Sequence, residues 1–91
     1  IMKIKVQRKV YYVKFWHSMY RTDCTIEDTK GKIYAKGHSN VSKKDQFSRP
    51  MGRKITIARA IANFEDKKMR KAFWRAYWEE RERITGRKFA A

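Results

Sequence analysis

Arg49, Arg53, Lys54 and Arg59 fall within one stretch, Lys43–Phe64 (KKDQFSRPMGRKITIARAIANF), and Lys43 and Lys44 open it. A guanidinium offers paired donors that match phosphate oxygens, so the chemistry this stretch offers is the holding of phosphates. A second group follows. Trp74 and Trp78 are one helical turn apart, with Lys67 and Lys71 upstream. Indoles beside cations can stack the bases of a single strand, for about 1–3 kcal/mol each. The other reading is that both tryptophans cover the sheet or a partner subunit, since large aromatics are highly buried on average.

Bond-making chemistry has far less support. His17 and His38 lie in or beside strands, and no carboxylate stands at a spacing that predicts a triad or a metal site. Cys24 reads as a small buried hydrophobe. Asp23, Glu27 and Asp28 could attract a cation, but neighbouring Lys and Arg side chains are the readier partners. Gly31, Gly37, Gly52 and Gly86 stand alone, so no loop cradles a phosphate. The expectation is a protein that is not an enzyme, with no cofactor and no metal.

Composition narrows the partners. The 91 residues make one domain with a small core. A hydrophobic content of 42% excludes a wholly disordered chain, and 3 Trp, 5 Tyr and 5 Phe can anchor a core with some to spare. The net charge of +15 exceeds what solubility requires. The excess is +6 before residue 41, +5 over 41–64 and +4 beyond. A surplus spread in this way suits a broad electrostatic surface better than a base-reading motif. Nucleic acid is the default partner. A membrane is disfavoured, because no segment is apolar for 18 residues and no signal peptide is visible. The single Cys excludes an internal disulfide and fits a reducing cytoplasm. Ile1, ahead of Met2, reads as an appended residue.

The elements that must position these groups follow from periodicity. Met2, Ile4, Val6, Val10, Tyr12 and Trp16 share even positions, the period of a sheet face, interrupted by Arg8 and Lys14. One long bent strand over Met2–Trp16 is the preferred reading, and two strands breaking near Gln7–Lys9 the other. A turn is expected at His17–Met19. Tyr20–Asp28 alternates again, with Tyr20, Thr22, Cys24 and Ile26 on one side. The Asp28–Gly31 turn then returns the chain through Lys32–Ser39, with Ile33, Ala35 and Gly37 on one side. Asn40–Gln46 is a polar link.

Two helices are expected next. Ser48 is a candidate N-cap with Pro50 in the first turn, for a helix to Phe64. Its apolar face is read as Met51, Ile55, Ala58 and Ala62, flanked by Ile57 and Ile61. Arg49, Arg53, Thr56, Arg59 and Asn63 lie opposite, with Gly52 and Ala60 among them. Gly52, costly inside a helix, implies close approach, either of a ligand or of another segment of this protein. The second helix spans Asp66–Arg83 and ends before Gly86. Met69, Ala72, Phe73, Ala76 and Tyr77 point inward, and Lys67, Arg70, Lys71 and Arg81 surround the tryptophans. Strands followed by helices give an α+β fold, a small antiparallel sheet of about three strands with two C-terminal helices on one face. The domain is placed at residues 2–86, with 87–91 a short basic tail.

The run DQFSRPMGRKITIARAI resembles a recurring segment of short bacteriophage proteins. CTIEDTKGKIYAKGHSNVSKKDQF, with its Cys-Thr-Ile strand and Gly-turn hairpin, is similar too, as is FWRAYWEE. The similarity covers about residues 20–80. More Lys and Trp than usual and a longer N-terminal arm depart from the pattern. The resemblance implies a phage origin and a small accessory role, and with the single Cys the expected location is the cytoplasm of the infected host cell. It brings no catalytic residues.

The leading expectation is therefore a basic protein that binds nucleic acid by its phosphate backbone, without strong sequence preference. Arg49, Arg53, Lys54 and Arg59 hold phosphates, helped by Lys43, Lys44, Lys67 and Lys71, with Trp74 and Trp78 as stacking candidates. The rival is a phage-encoded inhibitor or modulator that docks on an acidic host protein or nucleoprotein complex, such as an antiviral nuclease. The oligomeric state stays open, a homodimer included.

Overall fold

The computed structural model describes residues 1–40 and 49–87, with Arg49 described by its backbone alone. The chain runs β1 (Met2–Val6), β2 (Lys9–His17), β3 (Arg21–Glu27), β4 (Ile33–Asn40), α1 (Arg49–Ile61) and α2 (Lys67–Thr85). The strands form one antiparallel sheet in the order β1-β2-β3-β4, and the two helices follow. The fold is α+β, with four strands where about three were expected.

The extra strand comes from a turn without an obvious sequence signal. Gln7 and Arg8 both have positive φ, 50° and 68°, between paired Val6 and Lys9. Two residues at positive φ make the tight hairpin turn whose twist matches the flanking strands, although Gly or Asn is its usual occupant. The turn also reverses the side-chain parity. Met2, Ile4 and Val6 are buried in β1, but Tyr11 and Val13 are the buried residues of β2, paired with Ile4 and Met2. Val10, Tyr12 and Trp16, expected on the same face as β1's apolar residues, are on the opposite one.

The β3–β4 hairpin forms as expected. Asp28 closes its turn by accepting from the Lys30 and Lys32 amides, at 2.8 and 2.9 Å, and Gly31 takes φ of 84°. Thr22, Cys24 and Ile26 are buried, whereas Tyr20 is exposed. A bulge pairs Ile26 with Ala35 but Glu27 with Ile33. It shifts Ile33 off the buried face that Ala35, Gly37 and Ser39 occupy, and leaves it 44% exposed.

Both helices lie on one face of the sheet, α1 over β3 and β4 and α2 along β1. Helix α2 matches its sequence pattern. Asp66 caps it by accepting from the Lys68 amide at 2.9 Å, and Gly86 ends it in the left-handed region. Phe73 and Tyr77 are buried, and Phe73 stacks on Phe64 and meets Tyr11.

Helix α1 is rotated from its expected orientation. Its buried residues are Gly52, Thr56, Ile57, Ala60 and Ile61. Met51 is 56% exposed, Ala58 and Ala62 are exposed, and Ile55 is only half-buried. Close approach to the sheet dictates this. A Cβ on Gly37 would collide with the Thr56 carbonyl and come within 2.8 Å of the Ala60 amide nitrogen. A Cβ on Gly52 would stand 2.5 Å from the Thr22 hydroxyl oxygen. So Gly52 serves packing within this protein. Only small side chains fit that close approach, so Gly52, Thr56 and Ala60 take it while Ile57 and Ile61 fill the core beside it. Thr56 is tolerated there because its hydroxyl donates to the Gly52 carbonyl at 2.8 Å, inside its own helix.

Candidate nucleic-acid interface

The expected phosphate-binding residues separate into three places. Arg53 and Lys54 meet Trp78 in a cavity of about 250 Å³ between the start of α1 and the end of α2, completed by Pro50, Tyr77 and Arg81. Arg59 is on the other flank of α1, where its Nη1 donates to the His38 carbonyl at 2.6 Å. Beside it, the Asn63 amide donates to the Lys36 carbonyl at 2.9 Å. These bonds cover the outer edge of β4, an edge strand that would otherwise offer free carbonyls. The expected single ridge of Arg53 and Arg59 is therefore not formed. Part of Arg59's donor capacity has a structural task.

Lys67 and Lys71 are exposed on α2. Lys71 lines a concavity with Lys5 and Gln7 of the first hairpin, away from the Arg53 cavity. Lys43 and Lys44, and the candidate cap Ser48, lie outside the described residues, as do residues 88–91 of the expected tail. Arg49 opens α1. Trp74 and Trp78 are half-buried against the core, their rings parallel within 13° and 6.1 Å apart. Trp78 is also edge-on to Tyr77.

Sequence reasoning missed a second surface. The sheet face turned away from the helices carries Tyr12, Lys14, Trp16 and Lys36, and no described element covers these; Lys3 and Lys5 join it at the β1 edge, where they also line concavities with α2. Trp16 is 50% exposed there. Lys14 reaches Glu27 at 3.3 Å, and Arg21 pairs with Asp23 at 3.0 Å. The parity reversal at Gln7–Arg8 puts Tyr12 and Trp16 on this face. The preferred reading, one long strand over Met2–Trp16, thus concealed it; the alternative, two strands breaking near Gln7–Lys9, is the one that forms.

The titratable groups have ordinary structural surroundings. His17 shares a hydrogen bond with the Thr22 hydroxyl at 3.1 Å. Cys24 is fully buried, and burial pushes its thiol up to about 12. Burial also raises the Tyr77 phenol, against the opposing pull of the Arg81 and Arg53 charges. Both guanidinium groups line the same cavity as Tyr77.

No protein-family model, curated protein or solved structure matches this chain. Among the described helices, none is long and apolar enough to cross a membrane.

Proposed function

We propose that this is a small basic accessory protein that binds nucleic acid through its phosphate backbone, with weak sequence preference, in a phage-type role. The observation that supports this reading most is that at least six of the eight described carboxylates are engaged within the protein. Asp23, Glu27, Glu79 and Glu80 pair with Arg21, Lys14, Arg75 and Arg83. Asp28 and Asp66 accept from backbone amides. The basic surplus is left facing outward on the open sheet face and at the mouth between the helices. Contacts of this kind position a protein on a phosphate chain and carry little base information. The test is fluorescence anisotropy with unrelated duplex and single-stranded probes at low salt. Comparable affinity for unrelated sequences of the same form is expected. No binding at low salt would rule the reading out.

A specific observation favours a second reading. The outward stripe of α1, Met51, Ile55, Ala58 and Ala62, is apolar and flanked by Lys54 and Arg59. Such a stripe suits an acidic protein partner of the host. Copurification of one stoichiometric partner that survives nuclease treatment, and is lost in Met51→Lys, is the result that would favour it.

A further inference from the structure

The cavity holding Trp78 has a neighbour. A second concavity, of about 300 Å³, opens at the end of β2 against Phe15, His17 and Ile84. Arg53 and Arg81 line both. Two guanidinium groups, one from each helix, therefore stand between two ring-lined spaces. On one side the Trp78 indole is held edge-on by Tyr77, with ring centres 5.1 Å apart. On the other, Phe15 and His17 lie parallel within 12°, with centroids 6.5 Å apart.

Each feature selects for the same ligand. Two guanidinium groups lining the same two spaces in a chain of +15 favour an anion there, and a guanidinium prefers an anion with paired oxygens, as phosphate has. Cavities of these volumes lie at or below the lower end of the usual small-ligand range, about 300–1,000 Å³. Each suits one ring system. Rings on both sides of a phosphate describe two successive nucleotides, and bases are free to enter such spaces only when unstacked from a duplex.

We propose that Arg53 and Arg81 clasp one backbone phosphate of a single-stranded nucleic acid while the bases on either side enter the Trp78 cavity and the Phe15–His17 cavity. This rests on the nucleic-acid reading above and adds to it a preference for single strands over duplex. DNA and RNA share the chemistry. The pocket is distinct from the open sheet face, so the general attraction to phosphates and the single-strand preference are separable.

The experiment compares an oligothymidylate, an oligouridylate, a duplex of equal length and an abasic strand with the same phosphates, all on the unaltered protein. Base-bearing strands should bind about tenfold or more tightly than the abasic one, as expected for stacked bases. Relative oligothymidylate and oligouridylate affinities assign the pocket to DNA or RNA. Arg81→Gln should weaken single-strand binding about tenfold and duplex binding about twofold or less. In a chain with Trp16→Phe and Trp74→Phe, the remaining Trp78 fluorescence should be quenched by base-bearing strands and not by the abasic one. Equal affinity for base-bearing and abasic strands would overturn the inference while leaving phosphate binding intact. Equal losses for duplex and single strand in Arg81→Gln would do the same. Failure of every probe to bind would remove the nucleic-acid reading itself. If a variant does not fold by circular dichroism, the abasic comparison on the unaltered chain decides.

Discussion

The two faces of the sheet solve opposite problems. On the covered face, α1 comes so close to β3 and β4 that glycine, alanine and threonine form the contact: Gly37 and Thr22 below, Gly52, Thr56 and Ala60 above. The uncovered face carries long side chains, among them Lys3, Lys5, Tyr12, Trp16 and Lys36, and the Lys14–Glu27 pair. The difference teaches that stability and charge are kept on different surfaces. The covered face should resist even one added carbon. Away from the Lys14–Glu27 pair, the uncovered face should accept changes in charge at almost no cost in folding.

Gly37→Ala is the sharpest way to break that comparison. Its new methyl would meet backbone atoms of α1 that cannot rotate away. The expected loss is about 3 kcal/mol or more, at the upper end of overpacking costs, read by chemical denaturation. Phe73→Leu supplies the contrast on the α2 side, where rings and not backbones make the contact. Removing part of that ring should cost only about 1–2 kcal/mol, below the 3–5 typical of Phe→Ala. If Gly37→Ala proved the milder of the two, the close α1 contact would be wrong.

Cys24 adds a pH dependence to the same face. Its thiol is pushed up to about 12 by burial, above the value it has when unfolded. The folded state therefore keeps its proton while the unfolded chain loses it. The stabilising contribution is full below the unfolded thiol's pKa and falls away as pH rises from there towards about 12. Alkylation of Cys24 near neutral pH should be slow in the folded protein and rapid in denaturant. Rapid alkylation of the folded protein would mean that the face opens readily.

Gly52→Ala should cost less than Gly37→Ala, about 1–2 kcal/mol. The obstacle is the Thr22 side chain, which can shift, and alanine recovers about 1 kcal/mol of helix propensity. Equal losses at the two glycines would show that Thr22 is as rigid as backbone.

These contrasts also show what the sequence could reveal. The β3–β4 hairpin was legible because alternation and an Asp-to-Gly turn agree, and α2 because Asp66, its apolar stripe and Gly86 agree. The face of α1 was not. Met51, Ile55, Ala58 and Ala62 form a good apolar stripe, yet the surface beneath the helix leaves no room near Gly37 and Gly52 for side chains the size of Met51 and Ile55. Hydropathy reports what a residue prefers, and here the distance between backbones decided. The first hairpin was hidden because its turn uses Gln7 and Arg8 at positive φ. With the break near Gln7–Lys9 held only as the alternative to one long strand, the parity of β2 was misjudged, and the Tyr12–Trp16 face went unnoticed. Arg53 and Lys54 were recognisable as candidates, but their meeting with Arg81 and Trp78 depends on how the two helices are placed over the sheet.

The uncovered face gives the smallest expected effect on folding and the most direct test of function. Lys3→Gln combined with Lys36→Gln should change stability by no more than about 0.5 kcal/mol. The measurement is a salt titration of duplex and single-strand binding for this variant and the wild type. Affinity of the wild type should fall steeply and linearly in log K against log salt, as counterions are released. The variant's slope should be shallower by about 0.7–0.9 for each phosphate it no longer neutralises, whatever the sequence of the probe. A wild-type affinity that does not change with salt, or a slope that the double substitution leaves unaltered, would contradict binding of the phosphate backbone by this face.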